Sequence, residues 1–407
     1  MFSSLFSRIA GEDFEVHVIT NARPSPPAAD RGRFVIHSVK RNRDPDPLDF
    51  FSNLRFFLQA SRLFLTLHRK LGFHIIQTMG SLPVFGLYVA LLAKVSGCKA
   101  VWVFFAFPLR SGELDDVRLA LRDFPAWYRF LLSRAAFWRL AGVCSRWLDG
   151  IVVVSNIALT FLREIGVEEK KIFLIPPGVD LQVFRQKEIS GRLRPQIIYA
   201  STCYPWKGVF DLLEAFGMVR NRGLTAELVY VFSVSRSESQ HSRTFIGRLE
   251  RRIAALGLQD TVVIRDLPLS NIEDVLSRAD IFVCPIQSGI HTLDVPMSVL
   301  EAMACGLPVV ATRVSAIPEA VSDGVNGYLV ESRSPDALAA AIIKMLDRTK
   351  DTKRMGDESR RLVQRFDAGR SASLLREMYA LVAGGKTRET SIIDSLPDSG
   401  GYPEASE

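Results

Sequence analysis

Two kinds of apolar pattern alternate along the first half of the chain. Short runs of apolar and β-branched residues between turn-forming residues are typical of buried strands, and DGIVVVS (149–155) is the clearest of them. Between these runs the apolar residues recur at helical spacing, as in LDFFSNLRFFLQASRLFLTLHRKLG (48–72). Strands that alternate with helices predict a parallel sheet with helices on both faces. The other predicted strands of this half are FEVHVIT (14–20), RFVIHSV (33–39), HIIQTMG (74–80) and KAVWVFFAF (99–107).

The second half repeats the alternation, so the chain is predicted to be an α/β protein with two doubly wound, Rossmann-like domains. Its 407 residues suit two domains of roughly 150 to 200 residues each. A Pro-Pro-Gly turn in KIFLIPPGVD (171–180) offers a hinge, which places the domains at 1–180 and 181–383. Residues 384–407 are rich in Ser, Gly, Pro and Glu and are predicted to form a disordered tail.

The segment 71–93 raises the question of a membrane span. It contains no Asp, Glu, Lys or Arg and is long enough to cross a bilayer. However, a glycine ends its first part, FHIIQTMG, and Ser81 and Pro83 are residue types that open helices. The segment is therefore predicted to form a buried strand followed by a buried helix.

Composition indicates a folded globular protein with an anionic partner. Hydrophobic residues make up 48% of the chain and charged residues 23%, and the formal net charge is +7. The positive charge favours anionic lipid, nucleotide phosphates or nucleic acid, but no zinc finger, RNA-binding signature or basic run supports nucleic acid. Five cysteines without metal-ligand spacing are predicted to be buried, reduced thiols of a cytosolic protein. The first 20 residues lack the features of a signal peptide.

A helix start near Pro296 carries the first candidate site. Its free N–H groups, around Met297 and Ser298, suit a phosphate. Glu301 lies about one turn into this helix. Its carboxylate either accepts hydrogen bonds from the ribose of a nucleotide or is a solvated acid stabilised by the helix dipole, and spacing alone leaves both interpretations open.

The segment YASTCYPWKGVFDLLEAF (199–216) carries the second candidate site. A strand leads into a loop that ends at Lys207 and Gly208, and a helix follows. A lysine in this position can reach a phosphate on the loop, although most lysines are simply exposed. The glycine spacing of a P-loop is absent.

Four segments occur in the order seen in one enzyme family: IPPGVDLQVF (175–184), YPWKGVFDLLEAF (204–216), ADIFVCPI (279–286) and VLEAMACGLPVVATRVSAIPEAVSDGVNGYLV (299–330). With them the chain resembles the retaining glycosyltransferases of family 4, which have the GT-B fold. The resemblance extends from about residue 15 to residue 383 and is most specific in the last segment. It implies two domains that face each other across a cleft.

The resemblance also implies an activity, which is the transfer of a hexose from a nucleotide-sugar donor to a glycan or lipid-linked acceptor. The donor is a substrate, so no cofactor is implied. Lys207 matches the lysine that neutralises the donor diphosphate, and Glu301 matches the second acid of the E-x7-E motif, which holds the ribose. Met297 and Ser298 match the loop and helix start that cradle the diphosphate. A lysine and a helix start would take the place of a metal ion.

Two departures from the family fall in the donor site. The first acid of E-x7-E, which touches the donor sugar, falls on Leu293, and Asp294 comes one residue later. Asp294 either contacts the sugar after a small loop adjustment or is an ordinary capping acid. The phosphate-binding arginine of the family falls on Thr202, which removes a charge-assisted contact.

Further departures fall in the first half of the chain. The histidine usual after the strand that resembles KAVWVFFAF is missing, and Arg110 is the nearest polar residue. Of the other histidines, His291 in the donor loop is a better catalytic candidate than His74. The family's opening strand and glycine-rich loop have no counterpart before Met1, so either the start is misassigned or part of the cleft is absent. These departures motivate an alternative, a degenerate homologue that acts as a partner subunit or scaffold.

The span 122–147 suggests contact with a membrane. It contains three tryptophans and five arginines, and basic amphipathic helices rich in Trp lie on anionic membrane surfaces. The alternative is that the aromatic residues pack in the core of the first domain. The corresponding expectation for location is the cytoplasm, with peripheral contact to the inner face of the membrane.

Overall fold

The computed structural model describes residues 8–9, 14–20, 34–38, 50–80, 83–104, 134–186, 194–233, 240–267, 272–289 and 295–384. The chain divides into two compact units. The first comprises Met1–Gly178 and Ala368–Glu407, and the second is Val179–Asp367. All but the first residue of the predicted tail 384–407 lies outside the described residues.

The first unit contains two parallel sheets and four helices before the chain enters the second unit. One sheet pairs β1 (Val16–Thr20) with β2 (Phe34–Ser38). The other has the order β3-β4-β5-β6 and comprises β3 (Ile75–Met79), β4 (Lys99–Phe104), β5 (Gly150–Val153) and β6 (Ile172–Leu174). The helices, counted among the described residues, are α1 (Phe50–Leu71), α2 (Pro83–Ser96), α3 (Arg134–Ser145) and α4 (Asn156–Glu164). The described strands do not test whether an opening strand is absent, so that expectation stays a prediction.

Strands β4 and β5 form the buried centre of the first unit. Their apolar residues are buried on both faces, as expected of a parallel sheet covered by helices. The fully buried Trp102 of β4 donates from its indole nitrogen to the carbonyl of Gly80 at 2.9 Å, so its polar atom is satisfied. The hydroxyl of Ser155 accepts from the N–H of Ala158 at 3.1 Å and thereby caps the start of α4.

The second unit is built on one parallel sheet of order β12-β11-β10-β7-β8-β9. Its strands are β7 (Gln196–Ser201), β8 (Glu227–Ser233), β9 (Val262–Leu267), β10 (Ile281–Cys284), β11 (Val309–Thr312) and β12 (Gly327–Val330). Its helices are α5 (Val209–Asn221), α6 (Gln240–Ala255), α7 (Ile272–Leu276), α8 (Met297–Ala304), α9 (Ile317–Ala320), α10 (Pro335–Asp347) and α11 (Thr349–Leu362). The predicted α/β class is confirmed.

Neighbouring strands in this sheet bring two distant segments together. Strands β7 and β10 are paired in parallel although β8 and β9 lie between them in the chain. Because parallel strands end at the same edge of a sheet, the loops that follow β7 and β10 lie side by side. The buried hydroxyl of Tyr230 donates to the carbonyl of Val209 at 2.8 Å and attaches α5 to the sheet.

The final helix, α12 (Ala368–Val382), belongs to the first unit. Its Tyr379 hydroxyl donates to the side-chain oxygen of Gln77 on β3 at 2.8 Å, and Ser371 donates to the carbonyl of Pro176 at 2.9 Å. The limits expected from the sequence, 181–383, place this helix in the second domain, whereas its apolar face packs in the core of the first unit with residues of β4 and β5.

The uncharged segment 71–93 contains the last residue of α1, β3 and most of α2, so the predicted strand and helix are confirmed. Their predicted burial is only partial, because β3 is half-buried and Val84 and Leu91 of α2 are exposed. Within the described ranges, none of the helices has the length and apolar character needed to span a bilayer. All five cysteines are buried and free, as predicted for their burial.

Candidate functional site

The loops after β7 and β10 are tied together at the carboxyl edge of the second sheet. The N–H of Gln287, three residues after β10, donates to the carbonyl of Trp206 at 2.9 Å. The side-chain amide of Gln287 donates to Asp211 of α5 at 2.8 Å. Trp206 in turn stacks on Tyr204 with ring centroids 4.6 Å apart. These contacts fix the position of the loop that carries Lys207.

Lys207 ends a short 3-10 turn, Pro205–Lys207, and is buried, with a relative exposure of 8%. Burial of a lysine is uncommon and requires compensation of its charge. Its position relative to β10 follows from Cys284, the last residue of that strand. Burial raises the pKa of the Cys284 thiol to about 12, and the positive charge of Lys207 opposes this increase. Lys207 therefore lies at the carboxyl edge of the sheet, on the loop after β7 that is bonded to the loop after β10.

Gly208 is required where the Lys207 loop meets the β10 loop. Its φ is +73°, and a Cβ built there would lie 1.8 Å from the carbonyl oxygen of Pro285. That oxygen belongs to the backbone, so the clash is not relieved by rotating a side chain. Gly208 therefore allows the two loops to touch, and this contact sets the start of α5 behind Lys207.

We expect Gly208→Ala to lower the free energy of unfolding by about 3 kcal/mol or more, because positive φ and a backbone clash combine. Gly223 is the matched control, since its φ is +80° but nothing lies within 4 Å of a Cβ built on it. Gly223→Ala should cost only about 1 kcal/mol. Urea denaturation of both variants measures the difference. Equal losses would show that the contact with Pro285 does not hold the loop.

The start of α8 lies on the same edge, after β10. The residue before the helix is Pro296, which offers no side-chain cap. Among the described residues, no acceptor is recorded for the N–H groups of Met297 and Ser298. Both residues are half-buried. A helix start with unsatisfied N–H groups is suited to an anionic oxygen.

Glu301 lies one turn further into α8 and is half-buried. Burial, with a smaller contribution from the negative charge of Glu273, raises the pKa of its carboxyl to about 7. Within the described part of the chain, no hydrogen bond to this carboxyl is recorded. A carboxyl group that is partly removed from water and has no donor among the described residues can accept hydrogen bonds from hydroxyl groups of a ligand.

The structure thus places most of the predicted donor residues on one edge. Thr202, half-buried, directly follows β7, and Lys207 comes five residues later. Met297, Ser298 and Glu301 follow the adjacent strand. The predicted residues His291, Leu293 and Asp294 lie outside the described residues, as does Arg110. The exposed His74 precedes β3 and is therefore at the amino end of a strand in the other unit.

Sequence reasoning missed several residues that support this edge. The hydrogen bond between Asp211 and Gln287 corresponds to no sequence motif, because the two residues are 76 positions apart in the chain. Thr312 at the end of β11 donates to the carbonyl of Ile286 at 2.5 Å and holds the β10 loop from the other side. Ser315 has φ +52°, which is rare for a residue with a side chain, and its Cβ lies 3.4 Å from the Cβ position built on Gly289. Among the described residues, no group of three or more His, Cys, Asp or Glu is arranged to hold a metal ion.

Two family models match the chain. The model described as Glycosyltransferase Family 4 matches residues 3–183, and the model described as Glycosyl transferases group 1 matches residues 194–348. The matched segments cover parts of both units. The chain is thus similar in sequence to Glycosyltransferase Family 4 in its first half and to group 1 glycosyltransferases in its second half.

The curated relatives that the chain matches are also named as glycosyltransferases. The MMP alpha-(1->4)-mannosyltransferase of Mycolicibacterium hassiacum is 32% identical over 241 residues, which are 58% of this chain and 55% of that protein. The D-inositol 3-phosphate glycosyltransferase of Paenarthrobacter aurescens is 31% identical over 231 residues, 54% of each chain. The chain therefore spans about half the length of the curated relatives it matches.

Solved structures extend the likeness of fold over nearly the whole chain. Sucrose-phosphate synthase of Thermosynechococcus elongatus superposes with a TM-score of 0.75 at 18% identity, covering 93% of this chain and 92% of its own. A glycosyltransferase of Rickettsia africae gives a TM-score of 0.69 at 17% identity, with coverages of 94% and 95%. Anabaena HepE, solved in complex with UDP and glucose, gives 0.66 at 16% identity, with coverages of 90% and 99%.

The fold of two α/β units and the likeness to these structures confirm the predicted GT-B fold class. The family models add similarity in sequence to glycosyltransferases over residues 3–183 and 194–348.

Proposed function

We propose that this protein is a retaining hexosyltransferase that moves a sugar from a nucleotide-sugar donor to a hydroxyl group of a glycan or lipid-linked acceptor. The observation that carries the proposal is the pairing of a buried lysine with an uncapped helix start at one sheet edge. Lys207 and the N–H groups of Met297 and Ser298 supply positive charge where a diphosphate would lie. Relatives named as mannosyltransferases support a hexose as the transferred group.

In the proposed site each described residue has one task. The Lys207 ammonium and the α8 start hold the two phosphates, so no metal ion is needed to neutralise the leaving group. Glu301 accepts hydrogen bonds from the ribose hydroxyls. HepE, a structural neighbour, has been solved with UDP, which supports a nucleoside diphosphate in this fold.

The proposed reaction exchanges one C–O bond for another. The bond between the anomeric carbon and the diphosphate oxygen breaks, and the acceptor oxygen forms a bond to the same carbon on the same face. The hydroxyl proton passes to an oxygen of the departing diphosphate. The sugar contact is assigned to Asp294, with His291 as the second catalytic candidate. Thr202 takes the position of an arginine, so Lys207 carries more of the diphosphate charge.

Transfer assays test the proposal. The purified chain is incubated with a panel of nucleotide sugars and lipid-linked or free glycan acceptors, and the anomeric configuration of the product is read by NMR. The expected result is transfer with retention. Inversion would contradict the retaining mechanism, and failure to bind any nucleotide sugar by calorimetry would contradict the donor site.

The alternative is a non-catalytic homologue that acts as a partner subunit or scaffold. Thr202 in place of an arginine favours it, because a guanidinium contributes strong charge-assisted contacts to phosphates. This alternative predicts weak or absent nucleotide binding and no transfer, together with stable association with a catalytic partner. The two candidates are therefore separated by measuring calorimetric binding and transfer on the same preparation.

The proposal includes a cytoplasmic location with peripheral contact to the inner face of the membrane, where a lipid-linked acceptor is accessible. Of the span 122–147 that suggested this contact, residues 122–133 lie outside the described residues. Trp147, at its end, is described and is 52% exposed.

A further inference from the structure

Exposed apolar side chains are concentrated on one pair of helices in the first unit. Nine large hydrophobic residues are exposed in the described part of the chain, and five of them lie on α2, on α3 or in the turn after α3. Single exposed hydrophobic residues are normal on a protein surface, but a contiguous group marks an interaction site. The five are Val84 (41% exposed), Leu91 (49%), Val95 (75%), Val143 (50%) and Trp147 (52%), and we name them the α2–α3 face.

The α2 residues of this face form a stripe. Val84, Leu91 and Val95 are spaced at i, i+7 and i+11, which places them within about 40° of each other around the helix. The opposite side of α2 is buried, with Val89, Ala90 and Ala93 in the core. The helix therefore has two apolar sides, of which the core covers only one.

The residues near α3 form a second stripe beside the first. Arg139, Val143 and Trp147 follow each other at intervals of four residues, and all three are exposed. The ammonium group of Lys94 on α2 lies 5.8 Å from the ring centroid of Trp147. This cation–π contact joins the two stripes into one surface.

Among the described residues, the charged side chains on α2, on α3 and in the turn after α3 are all positive. Neither α2 nor α3 contains Asp or Glu, whereas Lys94, Arg139 and Arg146 are exposed. In the described residues, no carboxylate lies within ion-pair distance of these three cations. The nearby Asp149 is occupied by the side chain of Lys99 at 3.0 Å and the N–H of Ala100 at 2.8 Å.

We infer that the α2–α3 face docks on the surface of an anionic lipid bilayer. Aliphatic side chains and a tryptophan suit the boundary between head groups and acyl chains, and cations without carboxylate partners suit the phosphates of anionic lipids. A second protein molecule is a less suitable occupant, because it would have to supply both an apolar surface and three carboxylates. The inference rests on the proposed function in one respect: docking on a bilayer would bring the protein to a lipid-linked acceptor.

Vesicle sedimentation without any nucleotide tests the inference separately from the transfer reaction. The full chain should bind vesicles that contain phosphatidylglycerol, bind phosphatidylcholine vesicles weakly, and lose affinity as salt is added. Leu91→Gln combined with Val95→Gln should lower the partition coefficient about tenfold or more, because two exposed side chains leave the boundary region. Arg139→Gln and Arg146→Gln should each lower it about fivefold on the anionic vesicles only.

The matched control replaces exposed valines of the second unit. Val183 is 48% exposed and Val325 is 38% exposed, and Val183→Gln with Val325→Gln should leave vesicle binding unchanged. All variants should keep the wild-type thermal midpoint, since every replaced side chain is at the surface. Equal sedimentation of the Leu91/Val95 variant and the wild type would overturn the inference. It would also be overturned if the wild type failed to bind anionic vesicles, or if sedimentation equilibrium showed a dimer that the same substitutions dissociate.

Discussion

Replacing Lys207 with methionine is expected to weaken the binding of a nucleoside diphosphate about 100-fold, because charge-assisted contacts between a buried ammonium group and phosphate oxygens are strong. Methionine keeps an unbranched apolar side chain at this position and removes the positive charge. Binding of the corresponding nucleoside, which lacks phosphates, should change less than about threefold. Isothermal titration calorimetry with both ligands measures this selectivity.

Two further variants complete the Lys207 experiment. Lys207→Arg keeps the positive charge and should recover part of the affinity, whereas Lys353→Met removes an exposed lysine of α11 and should have no effect. A loss of affinity that is as large for the nucleoside as for the diphosphate would show that Lys207 supports the fold of the loop and does not bind phosphate.

The affinity for the nucleotide-sugar donor is expected to depend strongly on pH because of Glu301. Its pKa is raised to about 7 by burial, so much of the carboxyl is protonated at neutral pH in the free protein. Ribose hydroxyls that donate to the carboxylate favour the charged form, and binding therefore expels the proton. We expect the affinity for a nucleotide sugar to be about tenfold weaker at pH 6 than at pH 8.

Calorimetry can isolate the contribution of Glu301. The ligand must be a nucleotide sugar, because the terminal phosphate of a free nucleoside diphosphate itself titrates near neutral pH. At pH 6, titrations in buffers of different ionisation enthalpy should show the release of about one proton per site. Glu301→Gln should bind weakly, with an affinity that does not change between pH 6 and pH 8. A variant that retains the pH dependence of the wild type would exclude Glu301 as its source.

The same carboxyl affects stability with the opposite dependence on pH. The folded protein holds a proton on Glu301 between pH 4.5 and about 7, whereas the unfolded chain has released it. The free energy of unfolding therefore decreases as pH rises through this window, by about 3 kcal/mol at most. At pH 8 and without ligand, Glu301→Gln should be more stable than the wild type. In the wild type, the ionised carboxylate thus lowers the stability of the free protein but accepts hydrogen bonds from the bound donor.

The strands, helices and donor-site residues of the second half could be predicted well from the sequence, because the apolar periodicity and the sequence motifs indicate the same elements. The position of Lys207 before α5 and of Glu301 within α8 both follow from the local sequence. The contact of Gly208 with Pro285 and the bond of Gln287 to Asp211 could not be predicted, because they depend on the pairing of β7 with β10. The domain bounds expected from the sequence include α12 in the second domain, because local sequence does not reveal which of two cores a terminal segment enters. The assignments of His291 and Asp294 stay predictions.

The return of α12 to the first unit has a consequence for how the protein is made. The chain leaves the first unit after Gly178 and re-enters it at Ala368, and a Cβ on Gly178 would lie 2.7 Å from the Cα of Ala368. On the other side of this crossing, the N–H of Val179 donates to the carbonyl of Phe366 at 2.8 Å. The second unit is therefore synthesised as one continuous segment, which can fold as it leaves the ribosome. The core of the first unit lacks α12 until about 190 residues beyond Gly178 have been synthesised, so this core is completed last.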